Sequence, residues 1–247
     1  MAILDRHKRT WDKLGEMDPL WVVLTDPKGK FGKWDVDKFF ATGETAMTAV
    51  MARAEELGYP KRRETALDFG CGVGRLTRGM AKYFTHCHGI DISESMIARA
   101  KEFNQAFPNC EFSVNYADHL RMFPDNQFDL VYTTIVLQHL PTQTMIKSYI
   151  AEFCRVLRKD GLLAFQLPSQ ITLRHRLQLR RRVYAFLRRC GFRDEYLYTK
   201  LGLYPIIMNL VPKAEVVRVL EEAGARVITI EDLQQPELTS TTYYVTK

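Results

Sequence analysis

Three aspartates and a glycine-rich turn are the residues of this sequence best suited to hold a ligand. Gly70, Gly72 and Gly74 follow an apolar run that predicts a buried strand, and Asp68 lies two residues before the first of them. Glycines at this point let the backbone turn tightly and approach a ligand at the carboxyl end of a strand. Ordinary turns also contain such runs, so the glycines alone indicate little.

The carboxylates indicate which ligand the turn would hold. Asp68 disfavours a pyrophosphate and favours a cation, and the dinucleotide fingerprint requires a glycine where this chain has Arg75. Asp91 ends the second predicted strand, where it can accept hydrogen bonds from both hydroxyls of a ribose. Asp118 follows the third strand, where it can accept one from an adenine amino group. Asp is also common at helix caps, but three at successive strand ends favour a ligand with a cationic end, a ribose and an adenine.

Short apolar runs alternate with helical patterns from about residue 63 onward, which favours parallel strands joined by right-handed helical crossovers. The predicted strands are 65–69, 87–92, 111–115, 128–134 and 162–167, followed by 225–231 and 241–246. No helix separates the last two, so we expect them to be antiparallel. The sequence therefore predicts an α/β fold with a doubly wound, mostly parallel seven-stranded sheet and one antiparallel strand at or near its edge.

This pattern divides the chain into four segments. Residues 1–62 are predicted as an N-terminal helical extension, and 63–168 as the ligand-binding α/β core. Residues 169–212 are predicted as a basic helical cap inserted after the fifth strand. Residues 213–247 supply a helix and an antiparallel hairpin that complete the core.

The ordered motifs resemble those of class I S-adenosylmethionine-dependent methyltransferases of the small-molecule type. They are Asp68-x-Gly70-x-Gly72-x-Gly74, Gly89-Ile90-Asp91-Ile92-Ser93, Ala117-Asp118 and Phe128-Asp129-Leu130-Val131, within roughly residues 60–168. The resemblance implies a Rossmann-like methyltransferase domain with S-adenosylmethionine as cofactor. It implies these cofactor-binding residues: Asp68, Gly70, Cys71, Gly72, Gly74, Arg75, Asp91, Ile92, Asp118, His119 and Thr134.

The resemblance also implies a part for each motif. The glycine turn and Asp68 would hold the methionine end, and Asp91 the ribose. Ile92 would pack on the adenine, whose edge Asp118 and the backbone at His119 would contact, and Thr134 would lie beside the reactive methyl. We interpret Cys71 as a small packing residue rather than a nucleophile, because no base lies near it in the sequence.

His139 is the candidate catalytic residue. Methyl transfer from a sulfonium is an in-line displacement in which positioning and exclusion of water supply much of the acceleration. A base is needed only when the acceptor arrives protonated, and His139 follows the strand nearest the methyl. Orientation of a loop is the alternative interpretation of this histidine. We predict no metal site.

The N-terminal segment is rich in aromatic residues. Trp34 to Gly43 is predicted as a lid over the cofactor, with Phe40 and Thr42 facing its methionine end. Trp11 and Trp21 are interpreted as anchors of an extra helix.

The insertion carries the excess positive charge. Eight arginines and no acid lie between residues 174 and 193, and without them the net charge of +6 becomes −2. A solvated helix is one interpretation. An acceptor cap is another, with Tyr198, Tyr204, Met208 and Asn209 as substrate-binding residues and an acceptor that is anionic through a phosphate, a nucleotide or a lipid headgroup. Peripheral membrane contact through 174–193 is a third. Nucleic acid is disfavoured because no recognition module accompanies the arginines.

Composition limits the remaining classes. No apolar run reaches the roughly 18 residues of a membrane span, no secretory signal is visible, and five cysteines without a C-x-x-C pair fit a reducing cytoplasm. The leading hypothesis is a methyltransferase acting on oxygen or nitrogen of a metabolite, sugar or lipid-linked acceptor. The alternatives are a non-catalytic S-adenosylmethionine-binding module and a membrane-surface methyltransferase of an anionic lipid headgroup. Oligomeric state stays open.

Overall fold

A seven-stranded sheet forms the centre of the computed structural model, which describes residues 2–25, 29, 30 and 32–247. The strands are β1 (Thr65–Phe69), β2 (His86–Asp91), β3 (Cys110–Val114), β4 (Phe128–Thr133), β5 (Leu157–Ile171), β6 (Arg226–Gln234) and β7 (Leu238–Thr246). Their order is β3-β2-β1-β4-β5-β7-β6. β7 is antiparallel to both of its neighbours, whereas the pairs among β1 to β5 are parallel. The predicted fold is confirmed, and the reversed strand lies one position inside the edge.

Helices cover both faces of the sheet. They are α1 (Ala2–Met17), α2 (Pro19–Val23), α3 (Val36–Leu57), α4 (Arg75–Met80), α5 (Glu94–Phe103), α6 (Gln143–Val156), α7 (Leu173–Leu177), α8 (Leu179–Arg189), α9 (Asp194–Thr199) and α10 (Lys213–Glu222). Because successive strand residues point to opposite faces, Leu67 and Val131 pack with α6 and α10, while Ala66 and Leu130 pack with α3 and α4.

The helix starts follow from short polar side chains. Asp35, Ser93 and Thr142 each accept a hydrogen bond from a backbone N–H three residues further on, at 2.9, 3.2 and 3.1 Å. Such bonds satisfy amides that have no partner inside the helix. Ser93 rather than Ser95 caps α5, and the Ser95 hydroxyl donates instead to the Asp12 carbonyl at 2.9 Å, which ties α1 to the core.

The strand β5 is longer than the sequence indicates. β5 begins at Leu157 rather than 162 because its first residue pairs with Phe128. Its other end continues to Ile171 because the chain there pairs with β7, down to Leu238. The insertion that follows forms three short helices, α7 to α9, rather than one. No helix in the described part of the chain is long and apolar enough to cross a bilayer.

Candidate functional site

A cavity of about 410 Å³ opens at the carboxyl ends of β1, β2 and β4, the edge at which parallel α/β sheets bind ligands. Nine of the residues selected from the sequence line it, namely Gly70, Cys71, Gly72, Arg75, Asp91, Ile92, Thr134, His139 and Met208. The volume lies within the roughly 300–1,000 Å³ range of small-molecule sites. The structure therefore brings most of the glycine turn, one predicted carboxylate and the candidate base to one cavity.

The glycine turn is held in a conformation that only glycine adopts easily. Gly70 and Gly72 have φ angles of 75° and 54°. A Cβ on Gly70 would lie 2.5 Å from Val136, and one on Gly72 would lie 2.7 Å from Val23. Both glycines are therefore required by backbone geometry and by the close approach of the cavity walls.

Asp91 links the turn to the end of β2. One carboxylate oxygen accepts from the Gly72 N–H at 3.0 Å, and the other accepts from the Ser93 N–H at 2.9 Å. Burial raises the pKa of Asp91, and these backbone hydrogen bonds oppose that rise. Each oxygen keeps a lone pair for a further donor, so the carboxylate can accept from two adjacent hydroxyls of a ligand in the cavity.

Arg75 is a buried cation in the cavity wall. Its guanidinium donates to the Thr42 hydroxyl at 3.3 Å, and its Nε–H has no acceptor among the described residues. Burial lowers the pKa of Arg75, whereas the nearby Asp68 charge raises it. The guanidinium keeps donors for an anionic group of a ligand.

Asp68 does not line the cavity, and its contact with the ligand stays a prediction. Its side chain is 2% exposed and turns under the sheet edge, where one oxygen accepts from the Thr77 hydroxyl at 2.6 Å. Burial raises the pKa of Asp68 to about 6, against the Thr77 hydrogen bond and the Arg75 charge. The charge of Asp68 also acts on Cys71 and Asp91, which line the cavity with Arg75.

Gly74 is also outside the cavity wall. It begins α4 with a φ of 81°, and a Cβ there would lie 2.7 Å from the Phe112 ring. The glycine is required for close packing of α4 and β3. Cys71 does line the cavity, and burial raises the pKa of its thiol well above the usual value, which disfavours the nucleophilic thiolate.

Asp118 and His119, the predicted adenine contacts, do not line the cavity. Asp118 is exposed and lies outside the cavity, and His119 lines a separate open concavity with Glu152 and Arg155. Asn115 lines the cavity instead and donates to the Tyr149 hydroxyl at 3.2 Å. The signal for Asn115 is its position directly after β3, which matches that of Asp91 at the end of β2.

The chain between β4 and α6 forms the opposite wall. Thr134 and Ile135 follow β4, and Ile135 has a φ of 60°, which a β-branched residue rarely adopts. Its N–H donates to the Gln166 side chain at 2.9 Å, which helps hold the turn. A short 3₁₀ helix, Leu137–His139, comes next and carries the candidate base.

His139 is a half-buried neutral imidazole. Its Nδ1 lies 2.7 Å from the Ile207 carbonyl oxygen, and because a carbonyl only accepts, Nδ1 carries the proton. Nε2 is then unprotonated and accepts from the Gln138 side chain at 3.2 Å. Burial lowers the pKa of His139, opposed by the Ile207 hydrogen bond. This protonation state is the one that a general base requires at neutral pH.

Helix α1 adds two residues that sequence reasoning missed. Trp11 lies with its ring centroid 5.7 Å from that of His139, and its indole N–H donates to His7 Nε2 at 3.2 Å. Burial, followed by the charge of His139, lowers the pKa of His7 to about 4. Both line the cavity, so Trp11 is more than the anchor that its sequence context indicates. Histidine and tryptophan four residues apart on one helix face were the available signal.

The cover of the cavity differs from the predicted lid. Leu4, His7 and Trp11 of α1 line the cavity together with residues 22–25. The predicted lid residues do not. Phe40 is buried beneath the Arg78 guanidinium, 3.4 Å from its ring centroid, and the Thr42 hydroxyl donates to the Phe39 carbonyl. Phe40 packs α3 against the core, and the Thr42 hydroxyl accepts from Arg75 of the cavity wall.

The insertion contributes two residues to the cavity, Ile206 and Met208. Three predicted substrate residues do not line it. Tyr198 and Tyr204 stack on each other with ring centroids 5.3 Å apart, and Asn209 donates through its side chain to the Leu140 carbonyl at 2.7 Å. Asn209 thereby fixes the insertion to the turn that carries His139.

Part of the chain is similar in sequence to known methyltransferases. Residues 67–165 match the family model described as a methyltransferase domain. The chain is 32% identical over 137 residues to a probable methyltransferase, ltbC, of Aspergillus luteorubrus, covering 50% of this chain and 48% of that protein. It is also 32% identical over 136 residues to 2-methyl-6-phytyl-1,4-hydroquinone methyltransferase of Synechocystis, covering 55% and 42%. The chain thus spans about half the length of these curated relatives.

Solved structures show the same fold over the whole chain. Magnesium protoporphyrin IX methyltransferase from Synechocystis, crystallised with bound SAH, has a TM-score of 0.63 with 18% identity and 99% coverage of both chains. At that identity the likeness concerns the fold alone. The sheet order is that of Rossmann-like methyltransferases, and residues 67–165 match a methyltransferase domain. The resemblance to class I S-adenosylmethionine-dependent methyltransferases rests on this part of the chain.

Proposed function

We propose that this protein transfers a methyl group from S-adenosylmethionine to a hydroxyl of an uncharged, largely apolar small molecule. The observation that carries the proposal is a single cavity with the Gly70–Gly72 turn and Asp91 on one wall and the unprotonated Nε2 of His139 on another. One wall suits a nucleoside and the other suits proton removal.

The residues of the first wall fit the cofactor. Asp91 would accept from the ribose hydroxyls, and Ile92 would pack on the adenine. The glycine turn would contact the methionine end, whose carboxylate suits the unpaired donor of Arg75. When bound, S-adenosylmethionine supplies an electrophilic methyl on a sulfonium. Thr134 lies in the same cavity, at the end of β4.

The polarity of the acceptor side favours an uncharged molecule. Leu4, Trp11, Ile206 and Met208 line it, and Arg75 is the one lysine or arginine among the described residues of the cavity wall. An ammonium or phosphate there would lose its hydration without a partner charge, which is costly. The arginines of α8 lie outside the cavity wall, so they do not support an anionic acceptor within it. The hydroquinone methyltransferase among the relatives is named for a substrate of comparable apolar character.

His139 would act as the base for a hydroxyl acceptor. As the acceptor oxygen forms its bond to the methyl and the methyl–sulfur bond breaks, the hydroxyl proton would pass to Nε2 in place of the Gln138 hydrogen bond. The Ile207 carbonyl would hold Nδ1–H and support the resulting positive charge. The cover formed by α1 would exclude water from this exchange.

The test compares two carboxylates that the structure separates. Asp91→Asn should weaken S-adenosylmethionine binding in titration calorimetry by at least about tenfold, the equivalent of one lost hydrogen bond to a charged group. Asp118→Asn, the matched control, should bind as the wild type does. Thermal unfolding of both variants checks that Asp91→Asn still folds.

Turnover distinguishes an enzyme from a binding module. Wild-type protein should form S-adenosylhomocysteine when offered a panel of phenolic and other apolar hydroxyl compounds. Binding without turnover across apolar, amine and anionic panels would favour the non-catalytic alternative. Turnover confined to anionic acceptors would contradict the proposed polarity.

A further inference from the structure

A surface that combines apolar and basic side chains lies on the insertion, away from the cavity. Half of the large hydrophobic side chains that are exposed in the described part of the chain belong to residues 173–201. Within α8, Leu179, Val183 and Phe186 are 51%, 48% and 65% exposed. Spacings of four and three residues place them on one side of the helix. We call these three residues the α8 stripe.

The stripe is distinct from the face that holds α8 to the protein. Tyr184 and Leu187 pack against the buried Tyr198. The Tyr184 hydroxyl donates to Asp194 at 2.7 Å, and Arg188 forms an ion pair with the same carboxylate at 2.7 Å. α8 is therefore attached along one face, and the stripe is a second apolar face that is left exposed.

Arginines border the stripe. At about 100° per residue, Arg182 and Arg189 lie on the side of the stripe opposite Tyr184 and Leu187. Neither forms an ion pair with a residue that the structure describes, and residues 173–193 contain no acid. The surface therefore offers an apolar strip with uncompensated positive charge along one edge.

We propose that the α8 stripe and its flanking arginines dock this protein on an anionic lipid bilayer. An amphipathic helix of this composition inserts its apolar face at the headgroup boundary, while arginines contact lipid phosphates. A nucleic acid would satisfy the arginines but leave Leu179 and Phe186 in water. A second copy of the chain would cover the stripe but bring like charges together.

The insertion also connects the docking surface to the cavity. The side chain of Gln178, at the start of α8, donates to the Met208 carbonyl at 3.0 Å, and Met208 lines the cavity. Arg180 donates to the Gly202 carbonyl at 2.8 Å. Docking would therefore hold the cavity wall near the bilayer, which suits an apolar acceptor. The docking itself does not rest on the proposed function.

The experiment is vesicle co-sedimentation of the full chain without cofactor. We expect binding to vesicles that contain phosphatidylglycerol, little binding to pure phosphatidylcholine, and loss of binding at high salt. Arg182→Gln/Arg189→Gln should weaken binding by about 25-fold, since each charge contributes about fivefold near an anionic surface. Leu179→Ser/Phe186→Ser should weaken it by at least about tenfold.

Matched controls remove surface residues of the same types elsewhere. Leu233, on β6, is 62% exposed, and Leu233→Ser should bind vesicles as the wild type does. Arg218→Gln, on α10, controls for the lost charge. Circular dichroism checks that each variant folds, so that weaker binding reports the surface rather than unfolding.

Three results would overturn the proposal. The first is no binding of the wild type to anionic vesicles at low salt. The second is equal weakening by the control and stripe variants. The third is light scattering that shows a dimer dissociated by Leu179→Ser/Phe186→Ser, with no vesicle binding, which would assign the stripe to a second copy. Absence of methyl transfer in a protein that still binds vesicles would contradict the proposed function but not the docking proposal.

Discussion

Replacing Asp68 with asparagine should change how stability depends on pH. In the folded protein, burial raises the pKa of Asp68 from 3.8 to about 6, despite the Thr77 hydrogen bond and the Arg75 charge. In the unfolded chain the carboxyl ionises near its ordinary value. Between these two values the folded state binds more protons, so the contribution of Asp68 to stability is complete below 3.8 and is lost as the pH rises through 6.

The magnitude follows from the two pKa values. A difference of about two pH units, at about 1.4 kcal/mol each, makes the folded state about 3 kcal/mol less stable at pH 7 than at pH 3.8 through this one group. The substituted asparagine would not titrate, and its carbonyl oxygen can still accept from the Thr77 hydroxyl. Asp68→Asn should therefore gain up to about 3 kcal/mol relative to the wild type across that window.

Urea unfolding of both proteins at several pH values between 4 and 8 measures the effect. The quantity of interest is the difference between the two free energies of unfolding, because Asp91 and the half-buried histidines titrate in both proteins. Thr77→Val should steepen the pH dependence, since it removes the hydrogen bond that favours the carboxylate. Parallel curves for wild type and Asp68→Asn would refute the reasoning.

Two further predictions concern the cavity walls. His139→Gln should lower kcat by about 10²–10⁴-fold with cofactor affinity unchanged. The acid limb of the wild-type profile of kcat against pH should lie below pH 6.5, because burial lowers the pKa of His139. Unchanged turnover of the variant, or an acid limb above pH 6.5, would leave His139 only an orienting role. Gly72→Ala should weaken cofactor binding at least about tenfold by displacing Val23. Gly224 also has a positive φ but has open space where a Cβ would lie, so Gly224→Ala should lower stability without changing cofactor affinity. Equal cofactor affinities of the two variants in calorimetry would argue against this steric cause.

The sheet was predictable where local pattern decides it. β1 occupies the predicted residues 65–69, and β2 differs by one residue at each end. The start of β5 was not predictable, because Lys159 and Asp160 read as a polar turn. The Asp160 N–H donates to the carbonyl of Lys247 at 2.9 Å, a partner at the far end of the chain. Long-range pairing of this kind leaves no signal in the local sequence.

The part of the cavity wall formed by the glycine turn and the end of β2 was predictable from the sequence. Gly70, Gly72 and Asp91 lie in the cavity because β1 and β2 are adjacent and parallel, which brings their carboxyl ends together. The other two predicted carboxylates, Asp68 and Asp118, do not line the cavity. Asp68 is turned beneath the sheet edge, and the exposed Asp118 leaves the end of β3 to the uncharged Asn115.

The environment of His139 was beyond sequence reasoning because two distant segments create it. The Ile207 carbonyl fixes the proton on Nδ1, and Trp11 covers the ring from α1. Neither partner is near His139 in the chain. The lowered pKa of His139 is mainly a consequence of burial by these segments. The sequence therefore places a histidine shortly after β4, while the N-terminal helix and the insertion determine whether its Nε2 can take a proton.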